Sequence, residues 1–390
     1  MKTIMAHTLC PSPRLPRATP TVHPAPRRTL GGQVSWLTLA TGLNFAALLL
    51  LWWSLTVLSE TWWFTSVLTY LPRHPWLVPG GLLLGLSLMQ RAWYAAGMNL
   101  LSLAIVAGPV MDYRWGGYFS QNILAATTST ASATNFTLRV ATCNVQAYQP
   151  HFAQVFAELQ RWRPDVILLQ EAATDHPLLS EFFPAGFSVH TDHYWIGSRY
   201  PLQLRQECLS TPYQRTAGII VELETPVGMV MLANVHLMTP RRSLQEFHLR
   251  SLLDGSAPAE HVWHTEQRLA EALEVRMAID RVATAVPLIV AGDFNTPVTS
   301  NLYRTCWSDL QNAFDVRGCG WGYTAPCKPH PLWPWTLPWT RIDHILCSAA
   351  WQVLRCERGS CYGSDHHSLF AELLCTSPMP STGRASAPNE

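Results

Sequence analysis

From Val34 to Ser59 the chain reads VSWLTLATGLNFAALLLLWWSLTVLS, without one formally charged side chain. An apolar helix needs roughly 20 residues to cross about 30 Å of hydrocarbon, and this run is long enough. It is apolar on every side, whereas a surface helix of a soluble domain would show one apolar stripe, so the run predicts a membrane span. Two more apolar segments follow. WLVPGGLLLGLSLM (76–89) is short and contains Pro79, and AWYAAGMNLLSLAIVAGPVM (92–111) has full length, with Arg91 in a tight hairpin between them. Three spans are expected over residues 34–111. Trp52, Trp53, Trp62, Trp63 and Trp93 lie near their ends, where amphipathic rings favour the headgroup region.

Basic residues set the expected orientation. The Pro/Arg-rich tail, residues 1–33, carries Lys2, Arg14, Arg17, Arg27 and Arg28, so it and the Arg91 hairpin are expected on the cytoplasmic side. Three crossings then leave everything after Met111 on the extracytoplasmic (periplasmic or extracellular) face. Residues 112–136 have small polar composition and read as a linker, and residues 377–390 as a flexible tail. Nine of the ten cysteines follow the linker. Cys356 with Cys361, and Cys319 with Cys327, are close enough in sequence to close small loops in an oxidising compartment. Cys143 sits in an apolar strand pattern and reads as a buried thiol. The absence of a CxxC pair argues against structural zinc.

Residues 137–376 alternate short apolar strands with helical stretches. Six strand-like segments carry a polar residue at one boundary: TLRVATCNVQ, PDVILLQEA, GMVMLANVHLM, VPLIVAGDFNTP, TRIDHILCS and GSDHHSLFAEL. Residues 150–163 and 241–284 have helical periodicity. A layered α/β domain built around β-sheets is expected. Taken singly, each boundary residue has an ordinary explanation as a turn, a cap or a satisfied core side chain. Recurring on six segments, they suggest groups converging at one sheet edge.

In that order TCNVQ, DVILLQEA, ANVHLM, AGDFNTP, RIDHIL and GSDHHSL resemble the motif series of the endonuclease/exonuclease/phosphatase superfamily, which includes deoxyribonuclease I, exonuclease III and neutral sphingomyelinases. GSRYPL (197–202) fits a middle segment of the same series. The resemblance covers residues 137–376. It implies a four-layered α/β sandwich, two packed β-sheets flanked by helices, that hydrolyses phosphate esters with a divalent metal.

The resemblance also distributes roles. Glu171 is the expected ligand of Mg²⁺ or Mn²⁺, helped by Asn144 and Asp365, because hard cations prefer oxygen donors. Asp293 would orient and activate the attacking water. Asn295 would donate to phosphoryl oxygens, and His236 would stabilise the same charge or protonate the leaving group. His366 would contact phosphate with its tautomer set by Asp343. A carboxylate supporting His236 is expected from a middle segment, with Glu207 as candidate. His367, turned to the opposite strand face, reads as structural, and His261 and His264 read as part of a solvated helix face.

The substrate is less sharply specified. From Trp115 onward nineteen Lys plus Arg stand against twenty-four Asp plus Glu, a formal charge of −5, with Lys328 the one lysine. Binders of duplex nucleic acid neutralise several phosphates with clustered bases, so a lipid headgroup or small phosphoester is expected ahead of nucleic acid. An extracytoplasmic endo- or exonuclease is the alternative, and an inactive interaction module the second. Trp333, Trp335 and Trp339, in HPLWPWTLPWT, read either as a packed loop or as an apolar lip touching lipid.

Overall fold

The computed structural model describes residues 35–116, 136–149, 151–173, 176–183, 186–284, 286–327, 337–360 and 362–376. The basic tail, most of the expected linker, the C-terminal tail, Cys361, Trp333 and Trp335 lie outside the described residues.

Four helices come first: α1 (Trp36–Trp53), α2 (Trp63–Tyr70), α3 (Leu77–Met89) and α4 (Trp93–Ile105). Further helical turns extend α1 to Thr61 and α4 to Val110, and both extended helices are long and apolar enough to cross a membrane. The segment expected as the second span is shorter, because α3 has 13 residues and rises only about 20 Å. Inside the bundle, Asn99 donates to Thr41 Oγ1 at 3.1 Å and Ser87 Oγ at 3.3 Å, tying α1, α3 and α4 at one end. At the other end Leu51 and Leu55 pack with Val106 and Val110. So α1 and α4 run parallel, with α3 returning between them. Outward-facing side chains such as Leu43, Leu50 and Leu82 are exposed apolar residues.

The described part of residues 137–376 follows the expected layering. In chain order it comprises β1 (Thr137–Asn144), α5 (Phe152–Trp162), β2 (Val166–Gln170), α6 (Leu179–Phe182), β3 (Phe187–Thr191), β4 (Tyr194–Ser198), β5 (Leu202–Ser210), β6 (Arg215–Thr225), β7 (Gly228–His236) and α7 (Arg241–Gln245). Then come α8 (Leu249–Leu253), α9 (Ser256–Val282), β8 (Leu288–Asp293), α10 (Asn301–Trp307), β9 (Gln311–Asn312), α11 (Ala313–Arg317), β10 (Asp343–Cys347), β11 (Trp351–Arg358) and β12 (Leu369–Cys375). One sheet has the order β11-β12-β1-β2-β4-β3 and the other β5-β6-β7-β8-β10-β9. Val140, Val166 and Leu168 of the first meet Val221, Leu232 and Ile289 of the second in the core between them. Phe152, Val155 and Leu159 of α5 cover the outer face of the first sheet. Ala272, Val275 and Ile279 of α9, with Trp307 of α10, cover the second. Four layers result, as expected.

The helical region is not simply tethered to these layers. Tyr70 Oη accepts from Arg268 at 2.9 Å, Ser66 Oγ meets His261 Nε2 at 2.8 Å, and Glu60 binds Ser300 Oγ and, at 2.6 Å, the Asn301 amide. Asp112, at the start of the expected linker, accepts from the buried Arg341 at 2.6 Å. Two expectations change accordingly. Both helix histidines are buried, not solvated: His261 lies between Ser66 of α2 and Ser243 of α7, and His264 packs against Tyr213. Cys319 and Cys327 are not joined to each other.

Candidate active site

Strand register places the polar boundary residues on one edge. β7 and β8 are parallel with His236 opposite Asp293, and β10 runs antiparallel to β8 with Asp343 opposite Asp293. The ends of two strands and the start of a third therefore share one row. In the facing sheet, parallel β1 and β2 pair Asn144 with Gln170, so Asn144 and Glu171 emerge at the same edge. Asp365 and His366 arrive from the turn before β12. Gly292 explains the glycine of AGDFN: its φ is 141°, and a Cβ there would run into the Val235 carbonyl of β7.

Asp293 is the hub. Its Oδ2 lies 3.7 Å from His236 Nε2 and 3.7 Å from His366 Nε2, with the carboxylate buried. Asn144 Nδ2 donates to Glu171 Oε1 at 2.9 Å and to Asp293 Oδ2 at 3.2 Å, bridging the two carboxylates. Asn295 donates its side-chain amide to the Leu237 carbonyl at 2.8 Å and to Asp293 Oδ2 at 3.2 Å, while Asp293 Oδ1 accepts the Asn295 backbone N–H at 2.9 Å. Asn295, expected to face phosphate, is thus engaged in holding Asp293. Both Glu171 and Asn295 have positive φ, 55° and 48°, a conformation that costs energy and recurs where side chains must be aimed.

The two histidines differ electrically. Burial pushes the His236 imidazole down to about 4, with Arg215 and His366 acting in the same direction and Asp293 opposing. His366 is also buried, but Asp343 and Asp293, with Asp365, outweigh that penalty and hold it up to about 10. Its Nδ1 meets Asp343 Oδ2 at 2.9 Å, the pairing expected from the motifs. One imidazole is neutral and the other cationic at neutral pH.

Other side chains escape a motif reading. Arg268 of α9 donates Nε to the Met238 carbonyl at 2.8 Å and NH2 to the Asn295 carbonyl at 2.8 Å, and Glu271, one turn on, accepts the Met238 amide at 2.6 Å. Both loops carrying His236 and Asp293 are therefore clamped from behind. Glu271 also pairs with Arg215 at 3.0 Å, and Arg215 donates to the His236 carbonyl at 2.7 Å. An Arg and a Glu three apart on a long helix look like an exposed pair, so only their burial reveals this role. Glu207 sits exposed on β5 and accepts from Thr216 Oγ1 at 3.4 Å. The carboxylates beside His236 are instead Glu171 and Asp293, both 3.7 Å from Nε2. His367 is buried and packs edge-on against Tyr362, a structural placement.

A family model described as "Endonuclease/Exonuclease/phosphatase family" matches residues 141–366, which span this whole constellation. The chain belongs to that family. Endonuclease/exonuclease/phosphatase proteins hydrolyse phosphoester bonds and typically use divalent metals. The human Nocturnin catalytic domain with bound sulfate is 19% identical, with 62% of this chain and 97% of that one covered at a TM-score of 0.45. Truncated Caenorhabditis elegans TDP2 is 15% identical over 62% and 98% of the two chains, with a TM-score of 0.45. An endonuclease/exonuclease/phosphatase from Beutenbergia cavernae is 19% identical over 62% and 72%, with a TM-score of 0.42. No curated protein matches.

The donor set suits the metal chemistry of an endonuclease/exonuclease/phosphatase site. Asp293, Asp343 and His366 bring ligand-type atoms within 4.8 Å of one another, a group that includes neither Glu171 nor Asp365. The carboxylate of Glu171, partly open to solvent beside the Asn144 amide, adds further oxygens of the kind hard cations prefer. Asp343 Oδ1 is buried without a hydrogen-bond partner.

Proposed function

We propose that the protein is a membrane-anchored, Mg²⁺- or Mn²⁺-dependent hydrolase whose substrate is a lipid headgroup or another small phosphoester. The observation that carries this reading is Asp293, buried and 3.7 Å from both His236 Nε2 and His366 Nε2 at one sheet edge. Asp293 accepts the proton of the attacking water, and Asn144 and Asn295 hold its carboxylate in place. His366, kept cationic by Asp343, faces the charge that develops on the phosphoryl group. His236, neutral, lies on the other side of Asp293 as a hydrogen-bonding partner for the leaving or non-bridging oxygen. Glu171, with Asn144 and Asp365, would hold the cation, which supplies charge neutralisation and polarisation of the phosphoryl oxygens.

The anchoring half of the reading rests on the parallel course of α1 and α4. Both end against the catalytic layers, through Glu60 on one and the Met111 carbonyl, which accepts from Tyr323 at 2.7 Å, on the other. If α1 crosses the bilayer, its N-terminus and the catalytic layers lie on opposite sides. The basic tail supports an extracytoplasmic face for catalysis in this reading.

A substrate comparison tests the reading. Full-length protein in detergent with Mg²⁺ is expected to hydrolyse phospholipid or small phosphodiesters and to leave plasmid DNA intact. Efficient DNA cleavage with inert phosphodiesters would replace this reading with a nuclease.

A further inference from the structure

A pocket of about 400 Å³ adjoins the centre, within the size range of small-molecule sites. Asn295 and Asp365 line its catalytic end. Its remaining wall is largely carbon: Leu71, Leu244, Pro326, Trp339 and Ile342 face it from separate parts of the chain. Leu71 directly follows the last residue of α2, and the Trp339 indole donates to the Tyr70 carbonyl at 3.3 Å, so helical and catalytic regions build the wall together. Leu71 is exposed, with 44% of its surface open, although it borders a site of phosphoester chemistry that needs no apolar group. Arg241, exposed on α7, is the one cation among the described lining residues.

A phosphoester centre at one end and a carbon-lined wall at the other are complementary to an amphiphile. We infer that the pocket receives the aliphatic chain of a phospholipid whose phosphate lies at His236 and His366, beside Asp293. This rests on the phosphoester-hydrolase reading and adds the part of the substrate remote from the reacting phosphorus. The occupant is a lipid chain, because the wall is continuous with the helical region at Tyr70 and Leu71, where an acyl chain leaving a bilayer would first meet the catalytic layers. A polynucleotide would need cations along its path, and the described lining residues offer Arg241 alone.

Alkyl 4-nitrophenyl phosphodiesters, methyl to octyl, test this on full-length protein with Mg²⁺ below the micelle-forming concentration of each ester. Burying a methylene predicts a rise in kcat/KM of about fourfold per carbon until the pocket is filled. Leu244→Glu and Leu71→Glu, neither in the catalytic machinery, should flatten that rise and leave the methyl ester rate unchanged. A series that is flat in the wild type, or variants that lower all esters equally, would overturn the pocket while leaving the hydrolase reading intact. Preference for thymidine 5′-(4-nitrophenyl phosphate) over the octyl ester would overturn it in favour of a nucleotide. Hydrolysis of no member, with or without Mg²⁺, would overturn the hydrolase reading itself and the pocket with it.

Discussion

Asp343 Oδ2 lies 2.9 Å from His366 Nδ1, while the other oxygen of the same carboxylate, Oδ1, is buried with no hydrogen-bond partner. The charge of Asp343 is therefore directed at the imidazole. Asp343→Asn retains the shape but removes the charge that, with Asp293, holds His366 up to about 10. The variant should lose at least about a hundredfold in kcat, the usual scale for a positioned proton-handling group. Nitrogen NMR checks the cause: His366 should be an imidazolium at pH 8 in the parent and neutral in the variant. A cationic His366 in Asp343→Asn would show that another group sets its charge.

Arg268 makes a second prediction. Its guanidinium is almost wholly buried and serves the carbonyls of Met238 and Asn295 together with Tyr70 Oη. Arg268→Met leaves buried acceptors unsatisfied and should destabilise the full-length protein by about 3–5 kcal/mol, as broken buried charge networks do. Tyr70→Phe removes two charge-assisted bonds, the one accepted from Arg268 and the one donated to Glu60 Oε1, and should cost about 1.5–3 kcal/mol for each. Denaturant melts in detergent measure both, and a change below about 0.5 kcal/mol in Arg268→Met would contradict the clamp. A fragment of residues 130–390 lacks Tyr70 and Asp112, so it should melt earlier than the full chain.

Acid should loosen the same junction. Burial, aided by Arg268 and His264, holds His261 down to about 4, where it sits between Ser66 Oγ at 2.8 Å and Ser243 Oγ at 3.0 Å. Because the folded value lies below the unfolded value of about 6.5, the unfolded chain binds the extra proton between them, and stability rises with pH across that window. The melting temperature should fall as pH drops from about 6.5 towards 4, and His261→Gln should make the slope shallower. An unchanged slope in the variant would remove His261 from the account.

Sidedness is checked by protease. External protease on spheroplasts should digest the catalytic layers, because α1 and α4 both end against them and the basic tail favours the cytoplasm. Complete protection would put the site inside the cell and reverse the orientation.

Strand ends were readable because period-two apolar runs have sharp boundaries, and six of those boundaries carry the site residues. The parallel pairing of β7 with β8, and the antiparallel return of β10, then account for why His236, Asp293 and Asp343 fall on one row. β6 contributes no motif residue and carries no expectation from the sequence, although its GIIVELE has a clear strand composition. The helical region was read from hydropathy alone, which cannot register the polar face of α2. That face is where Ser66 and Tyr70 meet α9, and it is also what buries His261. Burial of Arg268 depends on contacts almost 200 residues away in the chain, beyond the reach of any local pattern.

The central claim is that Asp293 works at a metal-dependent phosphoester centre, and the direct measurement is 4-nitrophenyl phosphodiester hydrolysis by full-length protein titrated with Mg²⁺. The parent should be inactive in chelator and recover with Mg²⁺; Glu171→Gln should shift the half-activating Mg²⁺ concentration upward, and Asp293→Ala should stay at least about a hundredfold slower at saturating metal. Near-normal turnover by Asp293→Ala, or full activity of the parent in chelator, would contradict the account.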